Sequence, residues 1–229
     1  MIDALGDPAR SAAAAFARAR IQPGMTIGLG SGRAVFAVIE ALAATPPGLP
    51  RGLRAVVASS GTEARARAAG IDLVDLDEEA TLDLAVDGAD EVDPRRLGVL
   101  KGGGGALLRE KLVLAAARRV LIVAETPKLV ARLGTTRPLP VEVVRFGWPT
   151  TRRRLLGLLP SATLRTRAGV PFVTDEGHHL LDCRLPATDL AALAAAVKAT
   201  LGVVEHGLFL DQVDEVLLGA PDGTVRVLA

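Results

Sequence analysis

Through the first 125 residues, short and mostly apolar runs alternate with longer segments whose apolar positions recur every three or four residues. The short runs, at 25–30, 54–58, 72–76, 82–86 and 120–124, suit strands buried in a sheet. The periodic segments, at 8–20, 33–44, 62–69 and 106–118, predict helices. The first of these begins with Pro8 and stops before Pro23-Gly24, where a helix is expected to start and end. Residues 46–50, rich in proline, predict a loop. Strands that alternate with helices imply βαβ units and a parallel sheet.

The rhythm changes after Leu133. Pro138, Pro140 and Pro149 interrupt the chain, and strands near 163–167, 171–174 and 179–183 are short and hairpin-like. Phe172-Val173-Thr174 reads as a strand, with Asp175-Glu176-Gly177 as the turn after it. A helix over 188–200 follows, then strand-like Val203-Val204 and 207–210. The apolar segments 213–219 and 225–228 are placed to return to the main sheet. The expected fold is α/β: a parallel Rossmann-like sheet domain (1–134 and 206–229) with a small inserted α+β, ferredoxin-like domain (135–205). No internal repeat or low-complexity tract is present.

Composition narrows the function classes. The chain has 229 residues, 49% of them apolar, enough for a core without disulfide or metal staples. Lys+Arg total 27 against Asp+Glu 26, so no global field points to nucleic acid. One cysteine, Cys183, rules out an internal disulfide and a cysteine-cluster metal site. Its apolar surroundings predict a buried thiol rather than a nucleophile. Residues 1–7 lack the basic-then-apolar order of a signal peptide, and no apolar stretch approaches the ~20 residues that span a bilayer. The expectation is a cytoplasmic protein without membrane partners.

Four candidate elements fall at strand ends. Gly28-Leu29-Gly30-Ser31-Gly32-Arg33 joins a strand to a helix, where free amides and the helix dipole favour an anion. Its spacing is not G-x-G-x-x-G, so a phosphate or a merely tight turn fits better than a dinucleotide. Ser59-Ser60-Gly61-Thr62-Glu63 makes a similar turn, whose bland reading is a helix capped by Ser60 or Thr62. Asp87 ends the run 82–86, and Asp90 follows it by three residues; the alternative is an Asp-Gly turn with solvated acids. Asp93-Pro94 reads as a turn, and Glu91 as a cap or a solvent-facing side chain.

The fourth element is Lys101 followed by Gly102, Gly103, Gly104 and Gly105. Four glycines are costly to order unless their amides must approach something closely. With the lysine they can stabilise negative charge on a ligand oxygen. Glu110, well inside the following helix, shares an apolar stripe with Val113, Leu114 and Ala117, although flanking Arg109 and Lys111 also permit a solvated salt-bridge face. On the buried face, partial desolvation would raise its pKa toward that of a useful base. Ligands of parallel sheets bind outside the strands' carboxyl ends, which places all four elements at one pocket. His178 and His179 point to opposite faces of a strand, so they and His206 do not form a metal set.

The pair Asp87-Gly88-Ala89-Asp90-Glu91-Val92-Asp93 and Lys101-Gly102-Gly103-Gly104-Gly105-Ala106…Arg109-Glu110-Lys111 resembles the type A ribose-5-phosphate isomerases. Supporting matches run along almost the whole chain, among them Gln22-Pro23-Gly24, 28–32, Ser59-Ser60, 138–143, Thr174-Asp175, Gly177, Leu181-Asp182, Gly207-Leu208-Phe209 and 219–223. The resemblance implies interconversion of ribose 5-phosphate and ribulose 5-phosphate through a cis-enediolate, in the pentose phosphate pathway, without metal or redox cofactor, by a homo-oligomer, here expected to be a dimer. By motif, Glu110 is the base that moves a proton between carbons 1 and 2. Asp87, Asp90 and Lys101 assist ring opening and proton traffic, and Lys101 with Gly102, Gly103 and Gly104 holds the enediolate. Gly30, Ser31, Gly32, Arg33, Arg10 and Lys128 fall at the phosphate.

This chain departs from the family there. The family's Gly-Thr-Gly-Ser-Thr is Gly30-Ser31-Gly32-Arg33-Ala34, its serine before Lys128 is Pro127, and its asparagines near Asp175 are Glu176 and His178. Arg33 can take a phosphate as a bidentate fork or block the pocket. Two other readings stay open: isomerisation or deamination of another sugar phosphate, and a sensor that binds a sugar phosphate without turnover.

Overall fold

The computed structural model describes residues 7–229 apart from 45, 47 and 78–80. The expectation about a leader at residues 1–6, and the part of the proline loop that falls on Pro47, lie outside the described residues.

The first half of the chain follows the predicted alternation. Helix α1 (Pro8–Arg18) is capped by Asp7, whose carboxylate accepts the Ala9 N–H, and buries a face of small residues, Ala9, Ala13, Ala14 and Ala17. Then come β1 (Thr26–Leu29), α2 (Arg33–Ala44), β2 (Arg54–Val57), α3 (Ser60–Ala68), β3 (Asp72–Leu73) and β4 (Leu84–Gly88). A hairpin of β5 (Glu91–Asp93) and β6 (Gly98–Leu100) leads through the glycine loop to α4 (Leu107–Ala115) and β7 (Val120–Glu125). After that come β8 (Leu139–Val143), α5 (Trp148–Leu155), β9 (Ser161–Leu164), the small hairpin β10 (Thr166–Arg167) and β11 (Val170–Pro171), β12 (His179–Arg184), α6 (Leu190–Lys198) and β13 (Val203–His206). The chain ends with β14 (Leu208–Phe209), β15 (Glu215–Gly219) and β16 (Val225–Leu228).

The main sheet has the order β16-β15-β7-β4-β1-β2-β3. Every pair is parallel except β15 with β16, so the tail does return to the sheet, and its last strand makes the sheet mixed. Numbered by turn, the parallel strands run 3-2-1-4-5-6, with the switch point between β1 and β4. Alternate residues of these strands serve opposite faces. Ile27, Leu29, Val86, Leu121 and Val123 pack under α1 and α2, while Ala85, Ile122, Val216 and Leu218 pack against α4. Burial on both faces is why β7 reads as an unbroken apolar run. Gly28 faces α4, where a Cβ would fall 2.4 Å from Val113 Cγ1.

The second sheet, β13-β8-β12-β9, is antiparallel throughout and carries α5 and α6 in the order βαββαβ, a ferredoxin-like layer. Cys183 is fully buried in its core with Leu139, Val141, Leu155 and Val197, and burial together with neighbouring Asp182 pushes its thiol up to about 12. Among the described residues no helix is long and apolar enough to cross a membrane.

Several local expectations are corrected. The cap of α3 is Ser59, whose hydroxyl accepts the Thr62 N–H at 3.1 Å, not Ser60 or Thr62. The strand expected at 72–76 shrinks to two residues, and Phe172-Val173-Thr174 is not a strand. Glu91 does not face solvent: it is buried and accepts the Thr136 and Arg137 N–H groups at 2.5 and 2.8 Å. The proline-marked segment after Pro138 is in fact an inner strand, β8. Pro140 lies beyond the last β13 partner pair, His206↔Val141, so its missing N–H removes a donor only at the strand's end.

Candidate active site

The switch point assembles the site. Gly30 follows β1, and its N–H reaches the Val86 carbonyl of β4 at 3.0 Å, so the pairing holds to the end of β1 while β4 runs on to Gly88. Asp87 emerges there with none of its surface exposed. Its Oδ1 accepts the Gly88 N–H at 2.7 Å and the Ser31 N–H at 3.2 Å. The carboxyl group fills the space that a side chain at position 30 would need, since a Cβ on Gly30 would lie 1.9 Å from Asp87 Cγ.

Hairpin β5–β6 brings the second motif to the first. Asp90 N–H bonds the Leu100 carbonyl at 2.8 Å, which sets Lys101 beside the end of β4. β14 completes this small sheet, and Lys101 N–H bonds the Gly207 carbonyl at 2.9 Å. Gly207 has to be glycine because a Cβ there would lie 2.1 Å from the Lys101 carbonyl oxygen. Lys101 is buried, with its Nζ 5.6 Å from the centre of the Phe209 ring.

Three charges share one buried point. Lys101 Nζ donates to the Gly88 carbonyl at 2.7 Å and lies 2.8 Å from Asp87 Oδ2 and 3.3 Å from Glu110 Oε2. Neither carboxylate oxygen has an aligned hydrogen bond, so both contacts are ion pairs, and the directed bond goes to the carbonyl. Glu110 sits in the first turn of α4 rather than well inside it, on the buried stripe of Leu107, Val113 and Leu114. Burial and the Asp87 charge push its carboxyl up to about 8, and Lys101 only partly offsets them. Burial also raises Asp87, against Lys101 and two backbone N–H groups. For Lys101, burial opposes its charge, but Asp87 and Glu110 outweigh that and hold it above the ordinary lysine range.

The glycine loop faces this cluster. Gly103 donates its N–H to Asp90 Oδ2 at 2.8 Å. Gly102 and Gly105 have φ of +99° and +96°, a conformation side chains rarely adopt. Gly104 has open space where a Cβ would go, so steric crowding does not explain it.

These groups line a cleft of about 860 Å³. Asp90, Lys101, Gly102, Gly103, Gly104 and Glu110 line it together with Arg10, Ser31, Gly32, Arg33 and Lys128. Of the expected residues only Gly30 and Asp87 stand behind the wall. Arg10 Nε and Lys128 Nζ both contact Glu125, at 2.6 and 2.7 Å. Burial opposes the Glu125 charge, but these two cations prevail and hold its pKa low. Arg33, at the start of α2, is exposed at the cleft with no partner among the described residues. A larger groove of about 950 Å³, lined by Arg54, Val74, Asp75 and Leu112, contains none of the expected site residues.

Reading the sequence missed Glu125, Thr136 and Arg137, which also line the cleft. Glu125 carries the same signal as Asp87, an acid at the carboxyl end of a buried strand. Thr136 and Arg137 gave none, because the buried Glu91 positions their loop. The histidines are separate: His178 Nδ1 meets Glu142, His179 Nδ1 meets the Phe172 carbonyl, and His206 Nδ1 accepts the Leu208 N–H. Among the described residues no three His, Cys, Asp or Glu side chains form a metal-binding group.

Known proteins resemble this chain over most of its length. Residues 54–223 match the family model described as ribose 5-phosphate isomerase A (phosphoriboisomerase A). The chain is 46% identical over 222 residues to ribose-5-phosphate isomerase A of a Synechococcus species, covering 96% of each chain. It is 47% identical over 223 residues to the same enzyme of a Roseiflexus species, covering 96% of this chain and 95% of that one. The solved ribose 5-phosphate isomerase of Plasmodium falciparum superposes with a TM-score of 0.91 at 35% identity, covering 97% of this chain and 98% of that one. A further solved isomerase, in complex with phospho-erythronic acid, gives a TM-score of 0.90 at 32% identity over 96% of both chains.

Proposed function

This chain belongs to the ribose 5-phosphate isomerase A family, and we propose the following roles for its residues in that family's reaction. The protein is an aldose–ketose isomerase that interconverts ribose 5-phosphate and ribulose 5-phosphate. Glu110 takes the proton from carbon 2 of the open-chain aldose and returns it at carbon 1. Lys101 and the glycine-loop amides hold the negative charge that develops on the enediolate oxygens. Asp87 and Asp90 serve ring opening and the proton traffic among the sugar oxygens. Carbon 1 is reduced as carbon 2 is oxidised within one sugar, so no external oxidant enters the balance.

The observation that carries this reading is the convergence of Glu110 and Lys101 in the cleft wall with Asp87 buried directly behind them, and the carboxyl of Glu110 pushed up to about 8. Abstracting a proton beside a carbonyl needs a base of pKa near the working pH and an electrophilic cradle opposite it. The phosphate falls to Ser31, Gly32 and the cations Arg10 and Lys128, and Arg33 and Ala34 stand where the family has two hydroxyl residues. The division into a catalytic domain (1–134, 206–229) and an inserted layer (135–205) belongs to this proposal, and so do a homodimer and a cytoplasmic location.

The test follows solvent deuterium uptake and ketose formation from ribose 5-phosphate without added metal. Turnover in the parent that vanishes in Glu110→Gln supports the assignment. Saturable binding without exchange would return the protein to the sensor reading.

A further inference from the structure

The glycine loop is gripped from behind by a residue of the inserted layer. Arg165 lies between β9 and β10, with its backbone fixed on both sides: its N–H bonds the Leu180 carbonyl at 2.8 Å, and its carbonyl accepts the Phe172 N–H at 2.9 Å. Its guanidinium forks onto Asp182 of β12, Nε to Oδ2 at 3.0 Å and Nη2 to Oδ1 at 2.5 Å. The remaining nitrogen, Nη1, donates to two loop carbonyls, Gly102 at 2.9 Å and Gly103 at 3.1 Å.

The consequence follows from peptide geometry. In a trans peptide the carbonyl and the next N–H point in opposite directions. With the Gly102 carbonyl turned to Arg165, the Gly103 N–H points away from it, and that N–H indeed reaches Asp90. With the Gly103 carbonyl turned the same way, the Gly104 N–H points to the cleft side, and it has no acceptor among the described residues. The loop's own bond, from the Gly105 N–H to the Gly102 carbonyl at 3.1 Å, spans the Gly103–Gly104 unit without fixing its plane. Glycines carry no side chain to hold it, so a flip of that unit is cheap unless something outside the loop prevents it. A planar, charged fork already locked by a carboxylate is suited to that task.

We infer that Arg165, held by Asp182, is a positioning residue for the isomerisation: it orients the Gly102–Gly103 and Gly103–Gly104 peptides so that the Gly104 N–H meets the enediolate oxygen. This rests on the function proposed above. It also gives the inserted layer a part in the chemistry without contact to substrate. The phosphate end of the cleft does not depend on Arg165, so its loss acts on turnover rather than on binding.

The test compares Arg165→Ala, Arg165→Lys, Asp182→Asn and the Arg165→Ala/Asp182→Asn double variant in steady-state turnover of ribose 5-phosphate, with inorganic phosphate as competitive inhibitor. Arg165→Ala is expected to lower kcat about 30- to 100-fold, the scale of a misplaced or lost oxyanion donor. KM and phosphate inhibition stay within about threefold, and added guanidinium ion restores several-fold of the kcat. Lysine recovers little, since an ammonium cannot fork onto Asp182 and reach both carbonyls. The double variant is no slower than Arg165→Ala, because the two residues act as one unit. A kcat within twofold of the parent, a loss carried by KM and phosphate inhibition, or a folded Arg165→Ala protein deaf to guanidinium would each overturn the inference. Should Arg165→Ala not fold, Arg165→Lys and Asp182→Asn decide it: kcat must fall at least about fivefold at unchanged KM. A parent protein inactive on ribose 5-phosphate overturns the proposed function and this inference with it. An active parent with unaffected variants overturns this inference alone.

Discussion

Glu110 and Lys101 approach to 3.3 Å with 6% and 3% of their side chains exposed, and Asp87 competes for the same ammonium. Burial, reinforced by the like charge of Asp87, pushes the carboxyl of Glu110 up to about 8 from its ordinary 4.5. The base form therefore accumulates as pH rises. We expect kcat/KM to climb with pH along a limb governed by an ionisation near 8, absent in Glu110→Gln. In Asp87→Asn the like charge is gone and Lys101 turns wholly to Glu110, so the residual activity should show that limb at lower pH. Profiles over pH 5–10 check both; an acid limb at ordinary carboxylate pH would refute the assignment.

The same shift bears on stability, with a definite sign. Glu110 has a folded pKa raised above its unfolded value, so the unfolded chain ionises first as pH rises. Nothing is lost below about 4.5, and the cost is complete above about 8. Glu110→Gln should therefore gain melting temperature over the parent as pH goes from 5 to 9, at roughly 2–4 °C per kcal/mol for a chain of this size. Thermal melts at the two pH values measure it, and a constant difference would argue against a buried, ionising Glu110.

Arg10 and Lys128 converge on Glu125 and line the cleft. Arg10→Ala and Lys128→Ala should each raise KM for ribose 5-phosphate about tenfold, the worth of one charge-assisted contact, with kcat within about twofold. Arg33→Ser should likewise alter KM more than kcat. A large fall in kcat at unchanged KM would count against the phosphate role of Arg33.

Two glycines of the site make a contrasting pair. Gly30→Ala forces a methyl group onto the Asp87 carboxyl, so it should lower the melting temperature and reduce turnover at least about 100-fold. Gly104→Ala meets no atom within 4 Å and should melt within about 2 °C of the parent. Melting curves for the two variants side by side provide the check.

Much of this architecture was legible in the chain. Apolar runs between helical segments predicted the parallel sheet, and Asp87 at the end of one such run predicted a site at its carboxyl edge. The burial of Glu110 followed from its place on one stripe with Val113, Leu114 and Ala117. What escaped prediction depends on long-range contacts. Three-residue strands such as β5 and β6 carry too little periodicity to register. Pro140 argues locally against a strand that β12 and β13 nevertheless hold in place. Arg165 carries no motif; its role exists only because β9 and β12 pair beside a loop more than 60 residues earlier in the chain.

The ferredoxin-like layer is spliced between two neighbouring strands of the main sheet, β7 and β15. During synthesis β7 must wait some ninety residues for its partner, and α1 waits longer still, because Gly219 packs so tightly on it that a Cβ would lie 1.8 Å from the Ala9 carbonyl oxygen. A nascent chain can close the inserted layer while the sheet edge at β7 is still open. Chaperone dependence and aggregation during expression should therefore concentrate in that interval, and slowing translation through it would worsen both.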